Sequence, residues 1–221
     1  LLPMRAGATR ENANRPNGVY IPRFRNVDSK EKKFIRGYGY QGGENVTVYE
    51  HAYAMKGFGK DFKEGVPGKT ESRMRLIGFG ETLAKFENHC RLDDSVKDAW
   101  GIPALHIDCA QGDNERAMAQ DMKDCAVEML EAAGGEVLST NTTYPPPGFA
   151  IHEVGTARMG NDPKKSVLNQ WSQSHDVKNL FVMDGSGFVS IGNQNPTLTM
   201  MALTIRSCEY LTAEAKRGNL A

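Results

Sequence analysis

The 221 residues carry 27 Lys and Arg against 27 Asp and Glu, and 39% are hydrophobic, so no net charge marks the chain for nucleic acid or an anionic membrane surface. The length allows a buried core in one large domain or two small ones, and no apolar run approaches the roughly 18 residues of a spanning helix. No signal peptide opens the sequence; Leu1-Leu2-Pro3 without an initiator Met suggests a piece of a longer protein, which leaves cytoplasm and periplasm both open as compartments.

Residues 1–36 hold nine Lys or Arg against three Asp or Glu and read as a solvated linker with one edge strand at Val19–Phe24, where Pro22 favours an edge. A basic face for a missing partner domain is the sharper reading of the same charges. Phe34–Gly43 alternates aromatic residues with glycine, which fits a bulged hairpin better than a plain strand approached closely by something else. Residues 44–70 lack a clean period and read as a lid-like surface loop. Alternation through Met74, Leu76 and Gly78 predicts a half-buried strand; further strands are expected at Ala84–Leu92 and Ala104–Asp108, joined tightly enough for an antiparallel sheet.

Gly112-Asp113-Asn114 opens the clearest helix, with Met118, Met122, Cys125, Ala126, Met129, Leu130 and Ala133 at helical spacing and Gly134-Gly135 as its stop. The Met stripe reads as core packing. Val137-Leu138 is a candidate short strand, and Tyr144–Gly148 is a stiff, proline-rich connector. Leu180–Met183 reads as a short apolar strand ending in an Asp184-Gly185 turn. The last helix is expected from Pro196 to about Lys216, capped by Asn195, with Leu198, Met201, Ala202, Ile205, Cys208 and Leu211 as its buried stripe. Cys90, Cys109, Cys125 and Cys208 have no CxxC spacing and read as buried, inert thiols, with neither a metal site nor disulfides.

The chemistry concentrates late in the chain. His152 stands in a glycine-bounded bend, and an imidazole, titrating near about pH 6.5, can accept a proton from an alcohol. Asn195 can bind the same oxygen through an uncharged amide, and a helix N-terminus beside them favours negative charge. Residue by residue the plainer readings stand alongside: His152 as a structural loop histidine, Asn195 as only a cap, Asp184-Gly185 as an ordinary turn. Tyr38, Tyr40 and Trp171 could stack on a sugar ring or simply pack.

The string His152-Glu153-Val154-Gly155-Thr156-Ala157-Arg158-Met159-Gly160, followed by Asn169, Leu180–Ser186 and Asn195-Pro196-Thr197-Leu198-Thr199, closely resembles the C-terminal part of the glucose-methanol-choline (GMC) oxidoreductases. The likeness is strongest over 149–212 and extends more weakly back to about Val19. It implies an α+β fold, an antiparallel sheet with flanking helices, divided as substrate-binding sheet and helix at 1–148 and C-terminal segment at 149–221, in one compact unit. It also implies FAD, held mainly by an N-terminal Rossmann-like domain that is missing here, since the glycines of Gly37–Gly43 do not sit between a strand and a helix with an acidic residue about 20 further on and make no dinucleotide fingerprint.

By the same resemblance, His152 takes the hydroxyl proton of an alcohol or carbohydrate while hydride passes to flavin N5, and Asn195 holds the substrate oxygen. Asp184 and Gly185 would lie along the ribityl and pyrophosphate part of FAD, with Asn195, Pro196 and Thr197 at the flavin edge. Glu153 departs from the Pro or Gly common in relatives, which bears on the loop's shape. The electron acceptor stays open between oxygen, quinone and a cytochrome subunit. The alternative function is a non-catalytic module that keeps the fold for packing against another domain.

Overall fold

The computed structural model describes residues 2–5, 18–28, 30, 33–46, 52–53, 55–66 and 72–220. They fall into two compact units, one of Leu1–Gly80 with Asp113–Thr143, the other of Glu81–Gly112 with Tyr144–Ala221. The class is α+β, with antiparallel sheets.

In the first unit, strands β1 (Leu2–Arg5), β2 (Val19–Ile21), β3 (Tyr38–Val46), β4 (Ser72–Gly80) and β7 (Glu136–Val137) form an antiparallel sheet in the order β2-β3-β4-β1-β7. β2 stops just before Pro22 and lies at the edge, where a residue without an N–H is tolerated. β3 and β4 pair without a break from Tyr38↔Gly80 to Val46↔Ser72. The bulge expected at Phe34–Gly43 is therefore absent, because strict alternation already sends Tyr38 and Tyr40 to the core face and a bulge would turn one of them outward. Leu2–Arg5, expected as linker, is an interior strand; β7 pairs only with Met4 and Arg5, so Pro3 lies outside the part flanked on both sides. Within 44–70, residues 44–46 continue β3 and Lys60–Gly65 form a short helix, α1, with no buried residue; 47–51, 54 and 67–70 lie outside the described residues.

Helix α2 (Asp113–Ala132) covers the sheet, and Met118, Ala126 and Leu130 join Phe34, Tyr38, Tyr40 and Leu76 in the core. Glycines in β4 make room for its methionines: a Cβ on Gly78 would lie 2.8 Å from Met122 Sδ, and one on Gly80 2.5 Å from Met122 Cε. The helix ends in a Schellman turn, with Gly134 N–H donating to Glu131 O and Gly135 N–H to Leu130 O while Gly134 takes φ +82°. Tyr40 and Tyr38 are 1% and 0% exposed, which removes both from any sugar-stacking role.

In the second unit, β5 (His89–Lys97) and β6 (Pro103–Asp108) form a two-stranded ribbon. The strand expected at Ala84–Leu92 starts at His89 and runs past Asp93-Asp94. Asp93 pairs with Ala104, the register shifts between Asp93 and Lys97 where Asp93 Oδ1 accepts the Ser95 N–H, and the reversal comes at Asp98, whose Oδ1 accepts the N–H groups of Trp100 and Ile102. Helix α3 (Thr197–Arg217) closes the chain and terminates at Gly218, φ +75°. Among the described residues no helix is long and apolar enough to cross a membrane. Only Cys125 of the four thiols is buried, so the inert-core reading fails for Cys90, Cys109 and Cys208.

Candidate active site

The site is built in the second unit from irregular segments that pair backbone to backbone. Gly155, Ala157 and Met159 donate to the carbonyls of Gly185, Ser186 and Gly187 at 3.3, 2.9 and 3.0 Å, laying the stretch after His152 along the Asp184 turn. Gly160 N–H then donates to Leu168 O at 2.8 Å, and Asn169 Oδ1 fastens the next turn through Trp171 N–H and Gln173 N–H. Leu180–Met183 does not form a strand. It is tied to 172–174 by Ser174 N–H to Leu180 O and Val182 N–H to Ser172 O, both 2.9 Å, with Phe181 bridging Gln173. A run of four apolar residues is too short to sustain a ladder when its partner turns sharply, and Ser172 does so with φ +58°.

His152 is half-buried. The bend that presents it is closed by Glu153, whose Oε1 accepts the Ala150 N–H at 3.0 Å, around Ile151 at φ +59°. A β-branched residue in that region is strained, and the Glu153 contact is one that a Pro or Gly there could not make. Asp184 caps a single 3₁₀ turn, Gly185–Gly187: its Oδ1 accepts from Ser186 N–H and from the Ser186 hydroxyl. The hydroxyl first and the N–H second hold the Asp184 carboxyl below the usual carboxylate range. Ser186 is not among the residues that the sequence marks for the site, although a Ser two residues after Asp is the signal for such a turn.

Gly185 is where the segments converge. A Cβ there would stand 2.6 Å from Met200 Cε, 3.2 Å from Val154 Cγ1 and 3.6 Å from Glu153 O. The chain just after His152, the Asp184 turn and the first turn of α3 thus touch at one glycine. Asn195 lies exposed in the approach to α3 and is not its cap. The capping position is Pro196, which has no side-chain acceptor. Pro196, in helical conformation at φ −84°, takes the position expected for Asn195 and pushes the first helical residue to Thr197.

α3 is held on its polar side. Thr204 Oγ1 donates to Met183 O at 3.1 Å, Ser207 Oγ to Ser172 Oγ at 3.1 Å, and Arg206 Nη2 to Gln170 O. Trp171 is stacked on Tyr210 at 4.8 Å and 5°, with the Arg206 guanidinium 5.0 Å from its ring centroid, so its faces serve packing. Among the described residues no three His, Cys, Asp or Glu side chains converge as metal ligands.

An α+β chain of this kind, with its glycine-centred turn against a helix N-terminus, has recognisable kin. The family profile described as GMC oxidoreductase matches residues 85–204, more than half of the chain. The chain is similar to 2-methyl-1,2-propanediol dehydrogenase of Mycolicibacterium austroafricanum, at 34% identity over 200 residues, covering 88% of this chain and 36% of that protein. It is also similar to the fructose dehydrogenase large subunit of Gluconobacter japonicus (28% over 199 residues, 90% and 36%) and to pyranose 2-oxidase of Lyophyllum shimeji (28% over 173 residues, 76% and 28%). This chain belongs to the GMC oxidoreductases. It spans about a third of the length of the first of these relatives.

Proposed function

We propose that the chain is the substrate-binding and C-terminal part of an FAD-dependent oxidoreductase acting on the CH–OH group of an alcohol or sugar. The observation that carries this is the meeting of Glu153, Val154 and Met200 at Gly185, which brings the residues beside His152 to the first turn of the helix that Asn195 precedes. Names of relatives that include dehydrogenases and an oxidase of diols and sugars support the substrate class.

FAD is the cofactor this reading requires, and the residues present suit it. Asp184 is an exposed, acidified carboxylate whose two Ser186 bonds both fall on Oδ1, which leaves Oδ2 suited to polyol hydroxyls. The start of α3 has proline at its capping position, and the N–H groups and positive dipole end of its first turn suit an electron-rich ring edge. When bound, FAD supplies the two-electron acceptor. In this proposal His152 accepts the substrate's hydroxyl proton on its imidazole nitrogen, and Asn195 orients that oxygen through its amide. Gly185, whose missing side chain makes room for Met200 and Val154, would hold the Asp184 turn against α3, and the backbone of Pro196 and Thr197 would face the cofactor.

The test is anaerobic flavin reduction by the full-length gene product. His152→Ala is expected to slow it by roughly 100-fold or more. Unchanged kinetics would remove His152 from the chemistry, and a colourless gene product would favour the non-catalytic module.

A further inference from the structure

His152 stands between two fastened points of the chain. Before it, Phe149 N–H donates to Pro146 O at 3.1 Å, in a turn where Gly148 takes φ +84°. After it, Gly155 N–H donates to Gly185 O at 3.3 Å, and Glu153 O lies 3.6 Å from where a Cβ of Gly185 would stand. Between these points the backbone passes through Ile151 at φ +59°, a region that a β-branched residue occupies only when its surroundings hold it there. Packing within this chain does not hold it, because Ile151 is 86% exposed. The side chain of Glu153 does: its Oε1 accepts the Ala150 N–H at 3.0 Å, in a bond that spans Ile151 and His152.

We propose that Glu153 is a positioning residue for His152, an inference that rests on the reading above of His152 as the acceptor of the substrate's proton. Glu153 has its main chain at the Gly185 convergence and its side chain on Ala150, so it carries the position of the Asp184 turn across to the far side of the histidine. Without that bond Ile151 relaxes to the ordinary negative-φ regions, and a changed dihedral beside His152 moves the imidazole relative to the Asp184 turn. What the bond requires is an acceptor oxygen rather than a charge, since its donor is a neutral amide.

Anaerobic flavin reduction and Ala150 amide exchange are measured on the full-length gene product, with small diols and hexoses as donors and the one that bleaches the wild-type flavin fastest carried forward. Glu153→Ala is expected to lower the limiting reduction rate about tenfold, with half-saturation by the donor within about twofold, because the bond supports the proton acceptor rather than binding. Glu153→Gln, which keeps an acceptor oxygen, is expected to stay within about twofold of wild type. Adding Ile151→Gly to Glu153→Ala is expected to recover at least about threefold, since glycine adopts this φ without a holding bond. Ala150 exchange, read by mass spectrometry, is expected to be at least about tenfold slower in wild type and Glu153→Gln than in Glu153→Ala. Glu153→Gln as slow as Glu153→Ala would overturn the proposal in favour of a charge effect on the imidazole. Wild-type exchange at Ala150 as fast as in an unfolded peptide would overturn it too, even where Glu153→Ala does not fold. Normal reduction by His152→Ala sinks the reading of His152 as base, whereas slow reduction by His152→Ala beside normal reduction by Glu153→Ala sinks the positioning role alone.

Discussion

The polar cluster where helix α2 meets the sheet offers a quantitative test of the first unit. The Tyr38 hydroxyl donates to Asp121 Oδ2, and Arg25 holds the same carboxylate with Nε at 2.8 Å and Nη2 at 3.4 Å. Tyr38→Phe keeps a ring that is 0% exposed and deletes the hydroxyl, which donates to Asp121 and accepts a longer bond from Arg25 Nε at 3.3 Å. A hydrogen bond to a charged partner contributes about 1.5–3 kcal/mol net. Asp121 and Arg25 remain 25% and 35% exposed, so solvent screens the pair and the expected loss falls in the lower half, about 1.5–2 kcal/mol. Burial first, and the bond to Asp121 second, push the Tyr38 hydroxyl well above the ordinary tyrosine range. Its contribution is therefore complete below the unfolded tyrosine value near about pH 10 and fades as pH climbs above it. The gap between wild type and Tyr38→Phe should shrink on going from pH 7 into that alkaline range. Trp100 and Trp171 both lie in the other unit, so fluorescence would miss the effect. Alkylation of Cys125, buried on α2, across a urea series reads the right unit. A variant within about 0.5 kcal/mol of wild type at pH 7, or a gap indifferent to alkali, would refute the reasoning.

Other expectations follow from single contacts. Gly42→Ala should destabilise the sheet strongly, because its Cβ would lie 2.0 Å from the Arg75 carbonyl oxygen, whereas Gly78→Ala meets the Met122 side chain, 2.8 Å at Sδ, rather than backbone and should cost less; thermal midpoints of the two variants give the order, and the reverse order would sink the account. Ser186→Ala removes the larger of the two influences on Asp184, so the carboxyl should titrate closer to an ordinary aspartate, as followed by carbon NMR. Because the folded value is depressed, wild type should exceed Ser186→Ala in stability at neutral pH, and the difference should close as pH falls below about 4. A difference that persists at lower pH would mean that Ser186 acts through packing rather than through the carboxylate.

Elements whose patterns are satisfied locally were legible in the sequence. α2 begins at Asp113 and stops at the Gly134-Gly135 pair because the period, the acidic first turn and the Schellman glycines all agree. β4 and β6 follow from alternation between turns. What could not be read depends on partners distant in sequence. Leu2–Arg5 becomes a strand only because β4 and β7 flank it, and nothing in those four residues announces that. The candidate site divides the same way. The Asp184 turn is written in Asp184-Gly185-Ser186, but its contact with Val154 and Met200 joins segments that no local pattern connects.

The last helix shows how a correct period can carry a wrong partner. Leu198, Met201, Ala202, Ile205 and Cys208 do share one face, as their spacing requires, yet the face turned inward bears Thr204, Ser207 and Tyr210. The neighbours of α3 explain the choice. The irregular segments leave the Gln170 and Met183 carbonyls outside any ladder, and a carbonyl facing a helix gains more from a donor than from a methyl group. Met183 O and Gln170 O take Thr204 and Arg206, which fixes the rotation of the helix and sends the apolar stripe outward. Hydrophobic periodicity reports that residues share a face, not which way that face turns. Where the supporting loops demand hydrogen bonds, the polar side of a helix turns inward and its oily side outward.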